Sequence, residues 1–141
     1  MRYYDLVPEE GFEIDFDSVE KLLDERTKIW YIVNPSNPCG SVFSRSHMED
    51  ITKFSNKHQL IILVDEIYHG MAYGENPFIP LADVALDIPL ITIGGLSKIY
   101  GVPGWRLGWI IVHNRHGFLT EIIEGMKNVS DSIGVWINSI V

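Results

Sequence analysis

The sequence predicts an α/β fold in which a mostly parallel β-sheet carries helices on both faces. Three observations predict it. Short, continuous apolar runs recur along the chain, as is typical of strands buried on both faces of a parallel sheet. Stretches with the spacing of amphipathic helices lie between these runs. Polar residues follow the apolar runs, at the strand ends where open parallel sheets bind ligands.

The predicted strands are apolar runs that stop at polar or turn residues. They cover 3–7, 29–33 (IWYIV), 60–64 (LIILV), 90–93 (LITI) and 106–113 (RLGWIIVH). The first is a weak strand because its apolar run is short and interrupted. The second ends at Asn34-Pro35, the third at Asp65-Glu66 and the fourth at Gly94-Gly95. No linker rich in proline or glycine divides the chain, so we expect one domain.

The predicted helices cover 17–26, 44–58 and 117–129. Their apolar residues recur at helical spacing: Val19, Leu22 and Leu23; Met48, Ile51 and Phe54; Leu119, Ile122, Ile123 and Met126. Asp17 or Ser18 can cap the first helix, and Ser44 or Ser46 can cap the second. The alternation of these helices with the apolar strands supports the α/β class.

Composition excludes several function classes. The chain has 141 residues and a net charge of −8, with a pI of about 5.0, so its surface repels nucleic acid and offers no patch for an anionic membrane. No apolar run is long enough to span a bilayer. The single cysteine, Cys39, cannot form an internal disulfide. We therefore expect a reducing compartment, the cytoplasm, with the mitochondrion as the open alternative.

Three common site types find little support: a nucleotide-binding site, a metal site and a cysteine nucleophile. LIILVDE resembles the strand and acidic pair of ATPases, but GGLSK does not match the phosphate-binding G-x-x-x-x-G-K-[ST]. No strand is followed by G-x-G-x-x-G. The five histidines show no spacing typical of a metal site, and Cys39 has no histidine partner nearby in sequence. We expect no bound metal.

Five polar residues at or after the strand ends form the candidate site: Asn37, Asp65, Tyr68, Lys98 and Arg106. Four of them also have a purely structural interpretation. Asn37 suits a turn between prolines, Asp65 a helix cap, Tyr68 a half-buried aromatic and Lys98 a loop. Together, however, they match one ligand. Pyridoxal phosphate has an aldehyde for lysine, a basic nitrogen for aspartate, a hydroxyl for asparagine and tyrosine, and a phosphate for arginine.

The order of four motifs makes the assignment specific. NPSNPCG (34–40), VDEIY (64–68), GLSK (95–98) and RLGW (106–109) resemble the class I/II aminotransferases of fold type I, which depend on pyridoxal phosphate. NPSNPCGSVFS, GGLSK and VPGWRLGWI are similar to the tyrosine aminotransferase branch in particular. The resemblance covers nearly the entire chain. It implies transamination between an L-amino acid, tyrosine or another aromatic one, and a 2-oxo acid.

The resemblance also implies a role for each candidate residue. Lys98 would hold the cofactor as a Schiff base and then move a proton at the substrate. Asp65 would pair with the pyridine nitrogen and keep it protonated. Asn37 and Tyr68 would hydrogen-bond the ring O3′. Arg106 would bind the phosphate with its planar fork, which a lysine could not reproduce.

The sequence departs from the family in two respects. Gly95 occupies a position where many members have a hydroxyl residue that binds the phosphate. Family members are also considerably longer than this chain. They are homodimers, so the resemblance implies a homodimer for the full-length protein. Residues 1–141 would be the central part of the large domain, without its N-terminal part and the small domain. The uncapped apolar stretch SIGVWINSIV likewise predicts a piece of a longer chain. One alternative stays open: a catalytically inactive binding or interaction module.

Overall fold

The computed structural model describes residues 1–74 and 77–133. Its strands are β1 (Leu6–Val7), β2 (Glu13–Ile14), β3 (Ile29–Val33), β4 (Ile61–Asp65), β5 (Leu90–Gly95) and β6 (Gly108–His113). Its α-helices are α1 (Phe16–Leu22), α2 (Arg45–His58), α3 (Leu96–Ile99) and α4 (Thr120–Ile133). Short 3₁₀ turns cover Pro8–Glu10, Leu81–Asp83, Pro103–Trp105 and Arg115–Gly117. None of these helices is long and apolar enough to cross a membrane.

The main sheet has four strands in the order β3-β4-β5-β6. The first three are parallel, and β6 runs antiparallel to β5. Val33, Asp65 and Ile93 lie in one row across the parallel strands, so the carboxyl ends of these strands meet at one edge. The structure thus confirms the predicted α/β class with a mostly parallel sheet. The antiparallel direction of β6 is a feature that the apolar pattern alone does not specify.

Helix α2 connects β3 to β4 and makes their parallel pairing possible. It begins after Ser44, whose hydroxyl accepts a hydrogen bond from the His47 N–H at 3.2 Å. It ends at Gln59, which has a left-handed φ of 53° and closes the last turn onto Asn56 and Ser55. The helix is amphipathic, and its buried face packs onto the sheet.

The core lies on one face of the sheet. Alternate strand residues Trp30, Ile32, Ile62, Val64 and Leu90 are buried there together with residues of α1 and α2. Full burial stabilises such a side chain by about 1.5–3 kcal/mol. The intervening residues of β3 face the other way, and Ile29 and Tyr31 are 49% and 46% exposed. This second face includes Asp65, because Asp65 shares the row of Val33.

Element boundaries differ from the sequence predictions where the backbone turns locally. The first helix ends at Leu22 rather than 26, because Leu23 is extended at φ −73° and ψ 139°. The last helix begins at Thr120 rather than 117, because Gly117 and His116 have positive φ. The fourth predicted apolar run, 90–93, continues to Gly95.

Three further details were not predicted. The weak strand over 3–7 is only Leu6–Val7, and it pairs with the unpredicted β2. The predicted strand over 106–113 begins at Gly108, since Arg106 has φ 52°. The short helix α3 follows β5 directly. The predicted uncapped end, SIGVWINSIV, lies mostly outside the described residues, which stop at 133.

Candidate active site

The sheet brings most of the candidate residues to its carboxyl edge. Asp65 is the last residue of β4, Asn37 lies in the loop after β3, and Lys98 lies in α3, directly after β5. Tyr68 follows β4 by three residues. These elements are neighbours in the sheet, so their ends open onto the same region.

Asp65 is half-buried, and both of its carboxylate oxygens accept hydrogen bonds. Oδ1 accepts from the Ile67 backbone N–H at 3.0 Å, which supports the turn after β4. Oδ2 accepts from the Tyr31 hydroxyl at 3.0 Å. The structural interpretation of Asp65 as a local cap is therefore correct for one oxygen. The second oxygen is held by a side chain from the neighbouring strand.

Tyr31 is a residue that the sequence reasoning missed. It lies on β3 two residues before Val33, which pairs with Asp65, so Tyr31 and Asp65 project from the same face. Burial raises the pKa of its hydroxyl to about 12, and the hydrogen bond to the Asp65 carboxylate adds to this rise. Strand alternation alone could not have found this residue, because only the register of β3 against β4 places position 31 on the face of Asp65.

Asn37 and Tyr68 form a direct pair. The Asn37 Nδ2 donates to the Tyr68 hydroxyl oxygen at 3.1 Å, although the two residues are 31 positions apart. Asn37 is exposed and Tyr68 is half-buried. The contact leaves the Tyr68 hydroxyl hydrogen free to point at a further acceptor.

Lys98 lies beside the same tyrosine. Its Nζ is 5.8 Å from the centroid of the Tyr68 ring, within the range of a cation–π contact. The side chain is exposed. In this chain the Lys98 amine is therefore accessible to a ligand that approaches the carboxyl edge.

Arg106 has a different local environment. Its backbone is left-handed, at φ 52°, and its Nη1 donates to the Pro103 carbonyl at 3.2 Å. The side chain is exposed. Over the described ranges it forms no hydrogen bond or ion pair with the other four candidates. The structure thus brings Asn37, Tyr68 and Lys98 together, joins Asp65 to Tyr31, and leaves Arg106 outside these contacts.

Glu66, next to Asp65, takes no part in this cluster. Its side chain is 6% exposed, and its Oε1 accepts from the Leu81 N–H at 2.9 Å. Burial raises the pKa of this carboxyl. Glu66 therefore anchors the segment that leads to the Leu81–Asp83 turn. The acidic pair that resembled an ATPase motif is therefore divided: Asp65 lies in the candidate site, and Glu66 has a structural role.

The donor set fits the predicted cofactor better than it fits a metal. Among residues 1–74 and 77–133, no group of three or more His, Cys, Asp or Glu side chains is placed to hold a metal ion. An accessible amine, a carboxylate and an amide–phenol pair instead match the aldehyde, basic nitrogen and ring hydroxyl of pyridoxal phosphate.

Comparison with known proteins identifies the same family that the sequence motifs resemble. A family model described as aminotransferase class I and II matches residues 1–139. The chain is 43% identical over 134 residues to a tyrosine aminotransferase of Homo sapiens, covering 94% of this chain and 30% of the relative. It is 41% identical over 138 residues to nicotianamine aminotransferase A of Hordeum vulgare, covering 98% and 29%.

A solved structure of an aminotransferase has the same fold as this chain. The crystal structure of tyrosine aminotransferase from Leishmania infantum matches with a TM-score of 0.90 at 38% identity, covering 94% of this chain and 32% of that one. The chain thus spans about 30% of the length of the curated relatives it matches. Since the family model matches nearly every residue, the chain belongs to the aminotransferase class I and II family.

Proposed function

We propose that this chain carries the cofactor-binding centre of an enzyme that transfers an amino group from an L-amino acid to a 2-oxo acid. One observation carries the proposal. Asn37, Tyr68 and Lys98 come from three separate segments and converge at the carboxyl edge of the sheet, with Asp65 at the end of the central strand. Membership of the aminotransferase family supports it.

Bound pyridoxal phosphate would supply an aldehyde carbon and an electron-accepting ring. Lys98 Nζ would bind that carbon, and, once released by the substrate amine, would move a proton at the substrate Cα. Asp65 would hold a proton on the ring nitrogen through its negative charge. Catalytic roles are proposed for Lys98 and Asp65 in these steps, and for Tyr68 through its hydrogen bond to the ring hydroxyl oxygen.

Two further contacts would hold the cofactor in place. Asn37 and the Tyr68 hydroxyl would hydrogen-bond the ring hydroxyl oxygen, and their mutual contact at 3.1 Å keeps both groups at the same point. Arg106 would bind the phosphate with its guanidinium fork. Its present partner is a single neutral carbonyl at an exposed position, which is a weak restraint on the side chain.

The proposed amino donor is tyrosine or another aromatic amino acid. The similarity to tyrosine aminotransferases supports it. The chain is 41% identical to nicotianamine aminotransferase A, close to its 43% identity to the human tyrosine aminotransferase. Nicotianamine is therefore the alternative amino donor in the turnover test below.

The proposal extends to the longer protein. Residues 1–141 would be the central part of the large domain, and the full-length enzyme would be a homodimer. A cytoplasmic role in amino acid metabolism and biosynthesis completes the proposal, and the single cysteine suits a reducing compartment.

The first test concerns the lysine. The chain is mixed with pyridoxal phosphate, reduced with borohydride and digested, and the adduct is located by mass spectrometry. We expect one dominant adduct, at Lys98, and none there in Lys98→Ala. Lys127→Ala is the matched control, because Lys127 is an exposed lysine on α4. Equal labelling of several lysines, with none preferred, would contradict the proposed site.

A second candidate function is a binding module without catalytic activity. The isolated position of Arg106 and the exposure of Lys98 favour it over catalysis by this chain alone. Turnover separates the two. Tyrosine and 2-oxoglutarate, or nicotianamine as the alternative donor, are added to the loaded chain and the 2-oxo acid product is measured. Adduct formation without turnover would favour the binding module.

A further inference from the structure

Tyr31 makes a hydrogen bond to Asp65 that core packing does not explain. Its hydroxyl donates to Asp65 Oδ2 at 3.0 Å, across 34 positions of sequence. β3 and β4 are parallel, with Tyr31 opposite Leu63 and Val33 opposite Asp65. The tyrosine therefore reaches diagonally along the sheet, over two rows, to contact the carboxylate at the strand end.

Core packing does not account for this side chain. Tyr31 is 46% exposed, and its neighbours Trp30 and Ile32 supply the buried face of β3 at 5% and 1% exposure. A phenol on the exposed face contributes little to the hydrophobic core. Among residues 1–74 and 77–133, the one hydrogen bond of its hydroxyl is donated to Asp65.

The two hydrogen bonds to Asp65 fix the plane of its carboxylate. Ile67 N–H binds Oδ1 and the Tyr31 hydroxyl binds Oδ2, each at 3.0 Å. A carboxylate can accept about four hydrogen bonds in all, so capacity remains for a ligand. Removal of the Tyr31 hydroxyl would leave Ile67 as the one hydrogen-bond donor to this group within the described part of the chain. The carboxylate could then turn about its Cβ–Cγ bond.

We propose that Tyr31 is a positioning residue, which orients the Asp65 carboxylate toward the basic ring nitrogen of pyridoxal phosphate. This inference rests on the proposed function, since it assigns a support to the residue that would hold the cofactor ring. Tyr31 acts through Asp65 and makes no contact with the substrate.

The hydrogen bond itself is tested in the free protein. Tyr31 is replaced by 3-fluorotyrosine, whose more acidic phenol ionises at lower pH, and its ¹⁹F signal is followed by NMR. We expect the ionisation to move to lower pH in Asp65→Asn, because the negative acceptor is lost. Glu121→Gln, an exposed carboxyl on α4, is the control and should leave the titration unchanged. An unchanged titration in Asp65→Asn would overturn the inference.

The orienting role is tested with two ligands. Tyr31→Phe should weaken binding of pyridoxal phosphate about fivefold, the effect of roughly one net hydrogen bond. An analogue with carbon in place of the ring nitrogen should bind Tyr31→Phe and wild type equally. Tyr73→Phe, at a tyrosine that is 83% exposed, should bind both ligands as wild type does.

The outcomes separate this inference from the proposed function. Equal losses for both ligands, or no loss for either, would overturn the role of Tyr31 while the function stands. If the wild-type chain bound no pyridoxal phosphate, the proposed function would fail and the orienting role with it. The fluorine titration would then still show whether the Tyr31–Asp65 hydrogen bond exists.

Discussion

Adjacent residues of like chemistry have opposite roles at the end of β4. Asp65 lies on the exposed face with Tyr31, whereas the neighbouring Glu66 is 6% exposed and binds the Leu81 backbone. Side chains alternate across a strand, so one position decides whether a carboxylate meets solvent or the interior. The same alternation shows why the ATPase-like pair was a misleading motif: its two acids do not point to one site.

Gly94 gives a prediction at the scale of a single atom. A Cβ at this position would lie 2.4 Å from the Trp109 Nε1, across the β5–β6 pair. Gly94→Ala should therefore displace the indole and lower the free energy of unfolding by about 1–3 kcal/mol. Urea denaturation measures the loss, and tryptophan fluorescence should show a more solvated indole.

The control for Gly94 is another glycine. Gly125→Ala lies in helix α4, where a Cβ meets nothing within 4 Å. That substitution should leave the stability unchanged or raise it by up to about 1 kcal/mol, because alanine favours helix. If both variants were equally stable, the close approach of Trp109 to Gly94 would not be a tight contact.

At the scale of elements, local pattern and tertiary contact determine different features. The strands β3 and β4 and the helix α2 were predicted within one residue at each end, because continuous apolar runs and a serine cap define them locally. The direction of β6 depends on the turn around Arg106, whose left-handed backbone no periodicity reveals. Strand β2, and with it the pairing to β1, escaped prediction because a two-residue strand is too short to show alternation.

The candidate site also combines features that the local sequence pattern predicts with features that depend on tertiary contacts. The strand ends predicted which residues gather, and Asn37, Tyr68 and Lys98 do lie together. The pattern did not predict Tyr31 as a partner of Asp65, because that contact depends on the register of β3 against β4. The position of Arg106 depends on the turn that precedes β6.

His47 connects helix α2 to the N-terminal hairpin, and its contacts require a neutral ring. Its Nε2 accepts from the Ile14 N–H at 2.9 Å, so the ring proton is on Nδ1, which lies 3.3 Å from Glu13 Oε2. Burial lowers the pKa of His47 below its usual 6.5, against the opposing pull of Glu13, Asp50 and Glu10. Protonation of Nε2 would bring its N–H against the Ile14 N–H, and two donors would then face each other without an acceptor.

The expected pH dependence follows from this lowered pKa. The unfolded state binds the proton more tightly, so the stabilising contribution of neutral His47 is complete above pH 6.5 and falls as pH drops toward the folded pKa. The loss is at most about 1.4 kcal/mol per pH unit. His47→Gln keeps a donor and an acceptor without this titration. Its deficit relative to wild type, measured by urea denaturation, should be about 1–2 kcal/mol at pH 7.5 and smaller at pH 5.5.

Met48→Leu is the matched control for His47, because it alters the adjacent core position and leaves the imidazole in place. Its deficit should be the same at both pH values. His113 and Glu66 also have displaced pKa values, but both are present in all three proteins and cancel in the differences. A deficit for His47→Gln that did not change with pH would show that the imidazole does not titrate as its contacts require.

At the scale of the whole molecule, the edge strands of the sheet carry exposed apolar side chains. Within the described part of the chain, β3 and β6 each pair on one side only. Ile29, Tyr31 and Ile110 are 49%, 46% and 53% exposed on the face that also carries Asp65. Exposed apolar groups beside an unpaired strand edge favour association with another sheet. The net charge of −8 opposes it by mutual repulsion.

We therefore expect the 141-residue chain to self-associate through this face, and sedimentation over a range of protein concentrations measures it. Ile110→Lys should shift the chain toward monomer, because a charged side chain on the exposed face resists burial. Leu86→Lys is the matched control: Leu86 is 61% exposed and lies in a loop that is not part of the sheet. Both changes take the net charge from −8 to −7 (−8 + 1), so general repulsion falls equally in the two variants. If contact through the sheet governs association, only Ile110→Lys weakens it, whereas equal behaviour of the two variants would assign association to another surface.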